Sequence, residues 1–322
     1  MERSDFRKLS IINSQSSIFT IQVESPDQGK RLDSMVGTHL PELSRSVAAI
    51  LIRSGAVRVN EELRKPGYRV KPGDLIHGTI PPPEPVSFVP EPIPLDILYE
   101  DSDLIVVNKP PGLVVHPAPG HAAGTLVNGL LHHCPGLQGI GTKLRPGIVH
   151  RLDKDTSGTL VVAKSGTVHR HLSYQFKTRH VEKKYLALVL GEVASDSGVV
   201  KLPIGRHPVD RKKMSTISHR GRSAETVWRI RERFPGISLL ELDLKTGRTH
   251  QIRVHCAAIR HPVIGDPVYS RPRAGGVTRT PDRQMLHSWR LGFTHPASEQ
   301  WMCFESPIPE DMKDFMEALR SE

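Results

Sequence analysis

Apolar and polar positions repeat with two different periods along this chain. From position 237 to 244 they alternate every second residue, which is typical of a strand with one buried face. After Ser44, a plausible N-cap, apolar residues recur at i, i+3 and i+4 until Gly55, which predicts a short helix. Both patterns occur within one chain, so strands and helices are both expected.

The same patterns extend over most of the chain. They predict strands at 18–24, 57–59, 97–99, 104–107, 113–115, 160–163, 181–190, 224–230 and 237–244. They predict further helices at 126–134, 167–177, 251–259 and 310–319. Strands dominate and mostly follow one another, which favours an α+β fold with a mixed or antiparallel sheet over a doubly wound one.

A proline-rich segment divides the chain. Seven of the fourteen residues at 81–94 are proline, which favours an extended, semi-rigid linker. We therefore predict a tail and leading strand at 1–28, a small α/β module at 29–82, a linker at 83–94 and a larger domain at 95–322. Segment 270–283 is rich in Pro, Gly and Arg and predicts a mobile surface loop.

Composition narrows the class of protein. Lys and Arg number 44 against 34 Asp and Glu, a formal charge of +10, which suggests a phosphate-rich partner, although an ordinary basic protein has the same balance. No apolar run reaches about 18 residues, so we expect neither a signal peptide nor a membrane span. Three scattered cysteines predict reduced thiols in a cytoplasmic protein, without structural zinc.

The small module has a recognisable order of residues. It carries nine basic against five acidic side chains, and it contains Arg31-Leu32-Asp33, Leu43-Ser44-Arg45-Ser46, Val59-Asn60 and Gly73-Asp74. This order resembles the S4-type RNA-binding module of ribosomal proteins, with Glu61 where a glycine is usual. The resemblance implies that Arg31, Arg45 and Arg53 contact RNA. A solvated basic helix without a ligand is the alternative.

The densest cluster of chemically active side chains lies at 147–158, Gly-Ile-Val-His-Arg-Leu-Asp-Lys-Asp-Thr-Ser-Gly. A charged segment between apolar strands is how a rigid scaffold presents catalytic groups. An ordinary turn with Asp153 and Asp155 capping backbone amides is the structural alternative. A DxDxT phosphotransferase is disfavoured because His150 and Arg151 precede the motif where an apolar strand is required. A glycoside hydrolase would need a second carboxylate that the sequence does not identify.

Three motifs carry a family resemblance. The segment from His150 to Gly158, Lys183-Lys184-Tyr185-Leu186-Ala187 and the segment 244–255 resemble, in this order, the conserved motifs of the RluA family of pseudouridine synthases. Asn108-Lys109-Pro110-Pro111-Gly112 and Gly265-Asp266 agree with it. The resemblance covers nearly all of the chain from residue 18 onward, and implies conversion of uridine to pseudouridine in RNA.

The resemblance also implies roles for particular residues. Asp153 would be the nucleophile, Arg253 its ion-pair partner, and Tyr185 the ring on which the target base stacks. Arg151 would fill the place that the flipped base vacates, with a plain phosphate contact as the alternative. We count His150, Leu152 and Arg248 as substrate contacts. Large-subunit ribosomal RNA is the expected partner, because family members with this module act there, and transfer RNA is the alternative substrate. We expect a monomer that needs no cofactor.

Two groups of neighbouring histidines suggest metal binding, but their spacing disfavours it. His132, His133 and Cys134 are neighbours, as are His250 and His255, but neither set has a recurring ligand spacing with a fourth partner. We predict that His250 and His255 serve packing and that the site holds no metal. A non-catalytic RNA-binding or ribosome-assembly protein that retains the same fold is the rival hypothesis from another class.

Overall fold

The computed structural model describes residues 8–11, 17–40, 43, 45–80, 89–117, 121, 123–142, 145–210, 213–218, 220–270 and 280–321. The chain divides into two compact units, Met1–Pro85 and Val86–Glu322. In the part of the chain that the structure describes, no helix has the length and apolar character to cross a membrane.

The first unit is a small sheet covered by two helices. Its elements are β1 Lys8–Ile11, β2 Ser17–Gln22, α1 Leu32–His39, α2 Arg45–Arg53, β3 Val57–Val59 and β4 Leu75–Ile80. The strands pair antiparallel in the order β1-β2-β4-β3. Apolar side chains of both helices and of three strands form its own core, with Leu32, Met35 and Val57 fully buried. The predicted leading strand is therefore part of this sheet.

The second unit contains the remaining elements. Its strands are β5 Ile97–Glu100, β6 Leu104–Lys109, β7 Gly141–Thr142, β8 Arg145–Pro146, β9 Ser157–Ala163, β10 Val181–Leu190, β11 Ser197–Val200, β12 Gly205–Arg206, β13 Met214–Ser215, β14 Thr226–Phe234, β15 Ile237–Leu244, β16 Leu286–Thr294 and β17 Trp301–Glu305. Its helices are α3 Leu126–His133, α4 Gly166–Thr178, α5 Gln251–Ala258 and α6 Glu310–Arg320.

One mixed sheet organises this unit. The strand order is β11-β14-β15-β10-β16-β9-β6-β5, with β17 on β16. Strands β16 and β9 pair in parallel, and the other neighbours pair antiparallel. The structure thus confirms the predicted α+β class with a mixed sheet.

Helices cover both faces of the sheet. On one face α3 and α5 pack on side chains such as Val107, Leu160 and Leu240. On the other, α4 packs on β6 and β9 and α6 packs on β10 and β15. Successive strand residues point to opposite covered faces, so β6 and β9 carry consecutive apolar residues at 104–107 and 160–163. Tyr185 lies on the face that α3 and α5 cover.

Most predicted elements agree with the structure. The strands predicted at 57–59, 181–190 and 237–244 have the predicted bounds, and each helix predicted in the second unit differs by one residue at one or both ends. The helix predicted after Ser44 is α2, although Ser44 itself lies outside the described residues. Most of the loop predicted at 270–283 also lies outside them. The apolar patterns did not predict the longer elements α1, β1, β4, β11, β16 and β17.

The strand predicted at 113–115 was wrong. This segment has no sheet partner, because its carbonyl groups bond elsewhere. Lys109 Nζ donates to the Leu113 carbonyl at 2.9 Å, and the first amides of α3 donate to the carbonyls of Val114 and Val115 at 2.8 and 3.0 Å. The apolar segment therefore serves as the cap of a helix.

Part of the predicted linker is attached to the second unit. The side-chain amide of Asn128 on α3 donates to the Val89 carbonyl, and the backbone carbonyl of Asn128 accepts from the Glu91 amide. The first residues of the linker, up to position 88, lie outside the described residues. The part of the linker around Val89 and Glu91 is therefore hydrogen-bonded to α3.

Candidate active site

A pocket forms where three distant segments of the second unit meet. They are the loop before β9, the middle of β10 and the segment that joins β15 to α5, with one further residue on β16. The residues that line the pocket are Arg151, Leu152, Asp153, Thr156, Tyr185, Leu244, Arg248, His250, Gln251, Ile252, Arg253 and Leu286.

Hydrogen bonds hold the loop that carries Asp153 at the following residues Asp155 and Thr156. The Thr156 amide donates to the Asp153 carbonyl at 3.1 Å and closes a turn. Gln284 Nε2 donates to Thr156 Oγ1 at 2.8 Å, and Arg283 Nη1 donates to the Asp155 carbonyl at 3.0 Å. The Asp153 side chain itself remains 22% exposed and faces the pocket. The loop is therefore rigid where it presents its carboxylate.

Lys109 provides the deepest support of this loop. Its ammonium donates to the carbonyls of Pro110, Leu113 and Lys154 at 2.7 to 2.9 Å, although the residue is completely buried. Burial lowers the pKa of Lys109 to about 7, while the charges of Asp155 and Asp153 act in the opposite direction. Three carbonyl acceptors match the three protons of the charged form, so the ammonium fits this position.

Arg253 stands behind Asp153. Its Nη1 donates to Asp153 Oδ2 at 3.0 Å, while its Nε and Nη2 donate to the two oxygens of Asp266 at 2.7 and 2.9 Å. Burial lowers the pKa of Arg253, but the hydrogen bonds and charge of Asp266, together with Asp153, outweigh burial and raise it overall. The pocket thus has a permanent cation beside its one partly exposed carboxylate.

Asp266 is positioned by the backbone around it. Besides Arg253, its Oδ1 accepts from the amides of Val268 and Tyr269 at 2.8 and 3.1 Å, and its side chain has no exposure. The preceding Gly265 has φ of +73°, and a Cβ there would lie 2.0 Å from the Arg283 carbonyl oxygen. Only glycine allows this approach, which explains the Gly-Asp pair.

Tyr185 forms a wall of the pocket. The residue is only 8% exposed, and burial raises the pKa of its phenol to about 12, with the charge of Asp153 acting in the same direction and a hydrogen bond with Ser288 opposing. The phenol is therefore neutral over the whole physiological range. A neutral aromatic ring next to a carboxylate is suited to hold a planar base.

Known proteins match the chain along nearly all of its length. A family model described as RNA pseudouridylate synthase matches residues 103–258, and an S4 domain model matches residues 30–76. An uncharacterized RNA pseudouridine synthase of Bacillus subtilis is 45% identical over 302 residues, 93% of this chain and 97% of that protein. The chain belongs to the RNA pseudouridine synthase family. This synthase is an isomerase that acts on RNA, and it carries an S4 domain.

Two further relatives and one solved structure agree with this assignment. A protein of Nitrosomonas europaea named ribosomal large subunit pseudouridine synthase D is 45% identical over 97% of this chain and 91% of its own. A protein of the same name from Neisseria meningitidis serogroup A is 46% identical over 91% and 80%. The solved human RNA pseudouridylate synthase domain containing 1 superposes with a TM-score of 0.54 at 28% identity, over 71% of this chain and 96% of its own.

The predicted site residues of the synthase fall into two groups. The pocket brings together six of them: Asp153, Tyr185, Arg253, Arg151, Leu152 and Arg248. Arg151 is exposed at the rim, Leu152 is buried, and Arg248 donates from Nε to the Ser223 carbonyl at 3.2 Å. Their roles remain predictions.

His150 does not line the pocket. Its ring stacks on Phe176 of α4 at 4.5 Å, and its Nε2 accepts from the Val161 amide at 3.1 Å. Burial lowers the pKa of His150 to about 3, so the ring is neutral. The structure therefore places His150 in a packing position, away from the substrate contact that we predicted for it.

The three module residues differ in their surroundings. Arg31 and Arg45 both contact Asp33, with side-chain nitrogens 2.8 and 3.2 Å from its carboxylate. Hydrogen bonding from Arg31 lowers the pKa of Asp33. Arg53, at the end of α2, is exposed and has no ion-pair partner among the residues that the structure describes.

Sequence reasoning missed several residues around Asp153. His250 was assigned to packing, yet it lines the pocket with Nε2 3.9 Å from Asp153 Oδ2. Asp266 and Lys109 were noted only as parts of motifs. A lysine at the end of an apolar strand, just before Pro-Pro-Gly, was a usable signal, because a buried lysine requires several acceptors. Gln284 and Arg283 lie outside the family motifs, and no local pattern indicates their contacts with the loop.

A set of possible metal ligands lies elsewhere. Within the described ranges, Asp101, Asp103 and His295 have ligand atoms within 4.8 Å of one another. His295 Nδ1 accepts from the amides of Ala297 and Ser298, so its Nε2 carries the proton and donates to Asp101 at 2.9 Å. This set is therefore bonded internally.

Proposed function

We propose that this synthase converts uridines of large-subunit ribosomal RNA to pseudouridine, with Asp153 as the nucleophile and without metal or cofactor. The observation that carries the proposal is the contact of the partly exposed Asp153 carboxylate with the buried Arg253, 3.0 Å away, in a pocket walled by Tyr185. The guanidinium holds this carboxylate in place and offsets its negative charge.

The reaction requires little beyond these groups. The bond from ribose C1′ to uracil N1 breaks, a bond from C1′ to C5 forms, and the proton on C5 is replaced by one on N1. Reactant and product have the same mass and oxidation state, so a nucleophile that holds the separated halves is sufficient. Attack on the sugar, attack on the ring and initial removal of a ribose proton all begin at the same carboxylate.

The target base must leave its stack to reach Asp153. Its unstacking costs a few kcal/mol, which contacts with the pocket have to offset. Tyr185 supplies an aromatic face at the pocket wall, and Arg151 is exposed at the rim, where it can enter the place that the base vacates. This arrangement supports the roles predicted for both residues.

The choice of ribosomal RNA rests on the relatives and on the S4 domain. Proteins of both Nitrosomonas europaea and Neisseria meningitidis that carry the name of a large-subunit synthase are about 45% identical to this chain. The S4 domain adds basic side chains that would contact phosphate groups. We propose that the synthase acts in the cytoplasm, as a monomer.

A non-catalytic assembly factor is the second candidate. It would share the basic charge and the S4 domain. A carboxylate that is partly exposed to a polyanion weakens RNA binding. A protein that only binds RNA would therefore not benefit from Asp153, or from the hydrogen bonds that Arg253 donates to Asp153 and Asp266.

Mapping of pseudouridine tests the proposal directly. Large-subunit ribosomal RNA and transfer RNA transcripts are incubated with the full chain or with Asp153→Asn, treated with carbodiimide and reverse transcribed. We expect new stops in ribosomal RNA with the unaltered protein alone. Asn keeps the shape but not the charge, so Asp153→Asn should bind RNA and give no stops.

Other outcomes separate the alternatives. Stops in both samples would contradict Asp153 as nucleophile, and stops in transfer RNA alone would replace the proposed substrate. Binding of both proteins without stops would favour the assembly factor. Release of free uracil would indicate a hydrolase, because an isomerase leaves the mass of RNA unchanged.

A further inference from the structure

His250 lies beside Asp153 in a backbone conformation that few histidines adopt. It is the residue before α5, with φ of +56° and ψ of +23°. A left-handed residue other than glycine is strained, and such residues persist mainly where the surroundings fix them, often at functional sites. This conformation places the imidazole at the pocket, with 20% of the side chain exposed.

The Tyr269 hydroxyl contacts Nδ1 of His250. The Met214 amide donates to the Tyr269 hydroxyl oxygen at 2.8 Å, and this hydroxyl lies 2.9 Å from His250 Nδ1. The hydroxyl therefore has its own proton available to donate to Nδ1. A neutral imidazole with an accepting Nδ1 has its proton on Nε2.

The electrostatic surroundings of this imidazole favour its neutral form. Burial lowers the pKa of His250; the charge of Asp153 acts against burial, and that of Arg253 acts with it. Nε2 lies 3.9 Å from Asp153 Oδ2, which is too long for a hydrogen bond, and Oδ2 is bonded to Arg253. The N–H of His250 thus points into the pocket next to the proposed nucleophile, with no protein acceptor at bonding distance from it in the described structure.

We propose that His250 is a further catalytic residue, whose Nε2–H donates a hydrogen bond to uracil O2 of the target nucleotide, and that Tyr269 positions it. This inference rests on Asp153 as the proposed nucleophile. When the bond from C1′ to N1 breaks, its electron pair goes to N1 and spreads over O2 and O4. A fixed donor at O2, the oxygen nearest to the breaking bond, stabilises this charge, and no proton is transferred.

Rates with a full-length transcript test the role of His250. We expect His250→Ala to lower the single-turnover rate about 100-fold while RNA binding changes little, because a donor to developing charge acts in the transition state. His250→Gln keeps an N–H donor and should recover part of the rate. Both variants have the same left-handed backbone cost, so a difference between them does not arise from folding. His132→Ala, an exposed histidine on α3, is the matched control.

Substitution in the substrate identifies the atom that His250 contacts. Sulfur is a weak acceptor, so 2-thiouridine at the target position should slow the wild type, whereas His250→Ala should be slowed no further. Additive effects of the two changes would overturn the contact with O2. A 2′-deoxyuridine target should leave the effect of His250→Ala intact; loss of the effect there would assign the contact to the ribose hydroxyl instead.

Nitrogen NMR of the imidazole tests the role of Tyr269. The wild type should show His250 protonated at Nε2 alone, and Tyr269→Phe, which keeps the ring but removes the hydroxyl, should show a mixture of tautomers and a lower rate. A wild-type proton on Nδ1 would overturn the proposal. If Asp153→Asn is inactive and His250→Ala is fully active, only this inference fails; if Asp153→Asn is active, the proposed nucleophile fails.

Discussion

At the scale of single residues, Arg253 must satisfy two opposing requirements. It is 5% exposed, which separates its charge from water, and it has to remain charged to stabilise Asp153. Asp266 resolves the conflict, because both of its oxygens accept from Arg253 in a bidentate pair. The cation is therefore held by a carboxylate that takes no part in the proposed chemistry.

Asp266→Asn tests this support. The change leaves a buried guanidinium with only Asp153 as a charged partner, so we expect the free energy of unfolding to fall by about 3 kcal/mol and pseudouridine formation to be lost. Asp243→Asn is the control, since Asp243 pairs with Lys245 at the surface and its loss should cost less than about 1 kcal/mol. Denaturant unfolding and carbodiimide mapping measure both effects. An Asp266→Asn protein of unchanged stability would contradict the account.

Site residues that stand in long sequence motifs could be predicted, whereas residues positioned by distant parts of the chain could not. Asp153, Tyr185 and Arg253 stand in long motifs, and the structure brings all three to one pocket. His250 was assigned to packing because only a metal role was weighed against it. Its orientation depends on Tyr269, 19 residues away, and on a backbone conformation that no local pattern indicates.

At the scale of elements, the contact of β9 with β16 brings the loop that carries Asp153 into place. These strands pair in parallel at Ser157 with His287 and at Gly158 with Ser288. Gly158 has φ of +112°, and a Cβ there would lie 2.2 Å from the Ser288 carbonyl oxygen. The glycine that ends the first motif is therefore required by a backbone 130 positions further along.

Gly158→Ala should separate these strands. Both the positive φ and the close approach oppose a side chain, so we expect a loss of about 3 kcal/mol in the free energy of unfolding. Gly247→Ala is the matched control, because a Cβ there has no neighbour within 4 Å and its φ is ordinary; it should change stability by less than about 0.5 kcal/mol. Thermal and denaturant unfolding measure the difference. Equal stabilities of the two variants would refute this explanation.

Strands and helices whose apolar residues recur at a regular spacing could be predicted from the sequence. Elements without such a spacing could not. The alternation at 237–244 gave β15 its bounds. The segment at 113–115 is equally apolar, but its carbonyls accept hydrogen bonds from Lys109 and from the first amides of α3. These tertiary contacts cannot be predicted from the local pattern. In β16, His287, Ser288, Trp289 and Arg290 interrupt the apolar pattern, and buried hydrogen bonds satisfy His287.

At the scale of the whole molecule, charge governs the encounter with RNA. The net charge of +10 predicts binding that weakens steeply with salt, because each neutralised phosphate releases counterions. The arginines of the S4 domain differ in how freely they can contact RNA phosphates. Arg31 and Arg45 are partly neutralised by Asp33, whereas Arg53 is exposed without an ion-pair partner in the described parts of the chain.

Arg53→Ala should change the salt dependence of RNA binding. If Arg53 contacts one phosphate, the slope of log affinity against log salt becomes shallower by about 1. Lys313→Ala, which removes an exposed charge from α6, is the control and should leave the slope unchanged. Affinities measured at several salt concentrations supply both slopes. Identical slopes for Arg53→Ala and the unaltered protein would remove Arg53 from the RNA contact.

The pairing of β9 with β16 also sets a time at which the enzyme can first become active. A ribosome makes the Asp153 loop long before it makes Arg253 and Ser288, so the nascent chain holds an unfinished pocket for more than 130 residues of synthesis. The S4 domain, whose core is its own, can fold during that interval. A growing chain can therefore bind RNA before it can modify it, and catalysis begins only when the last strands leave the ribosome.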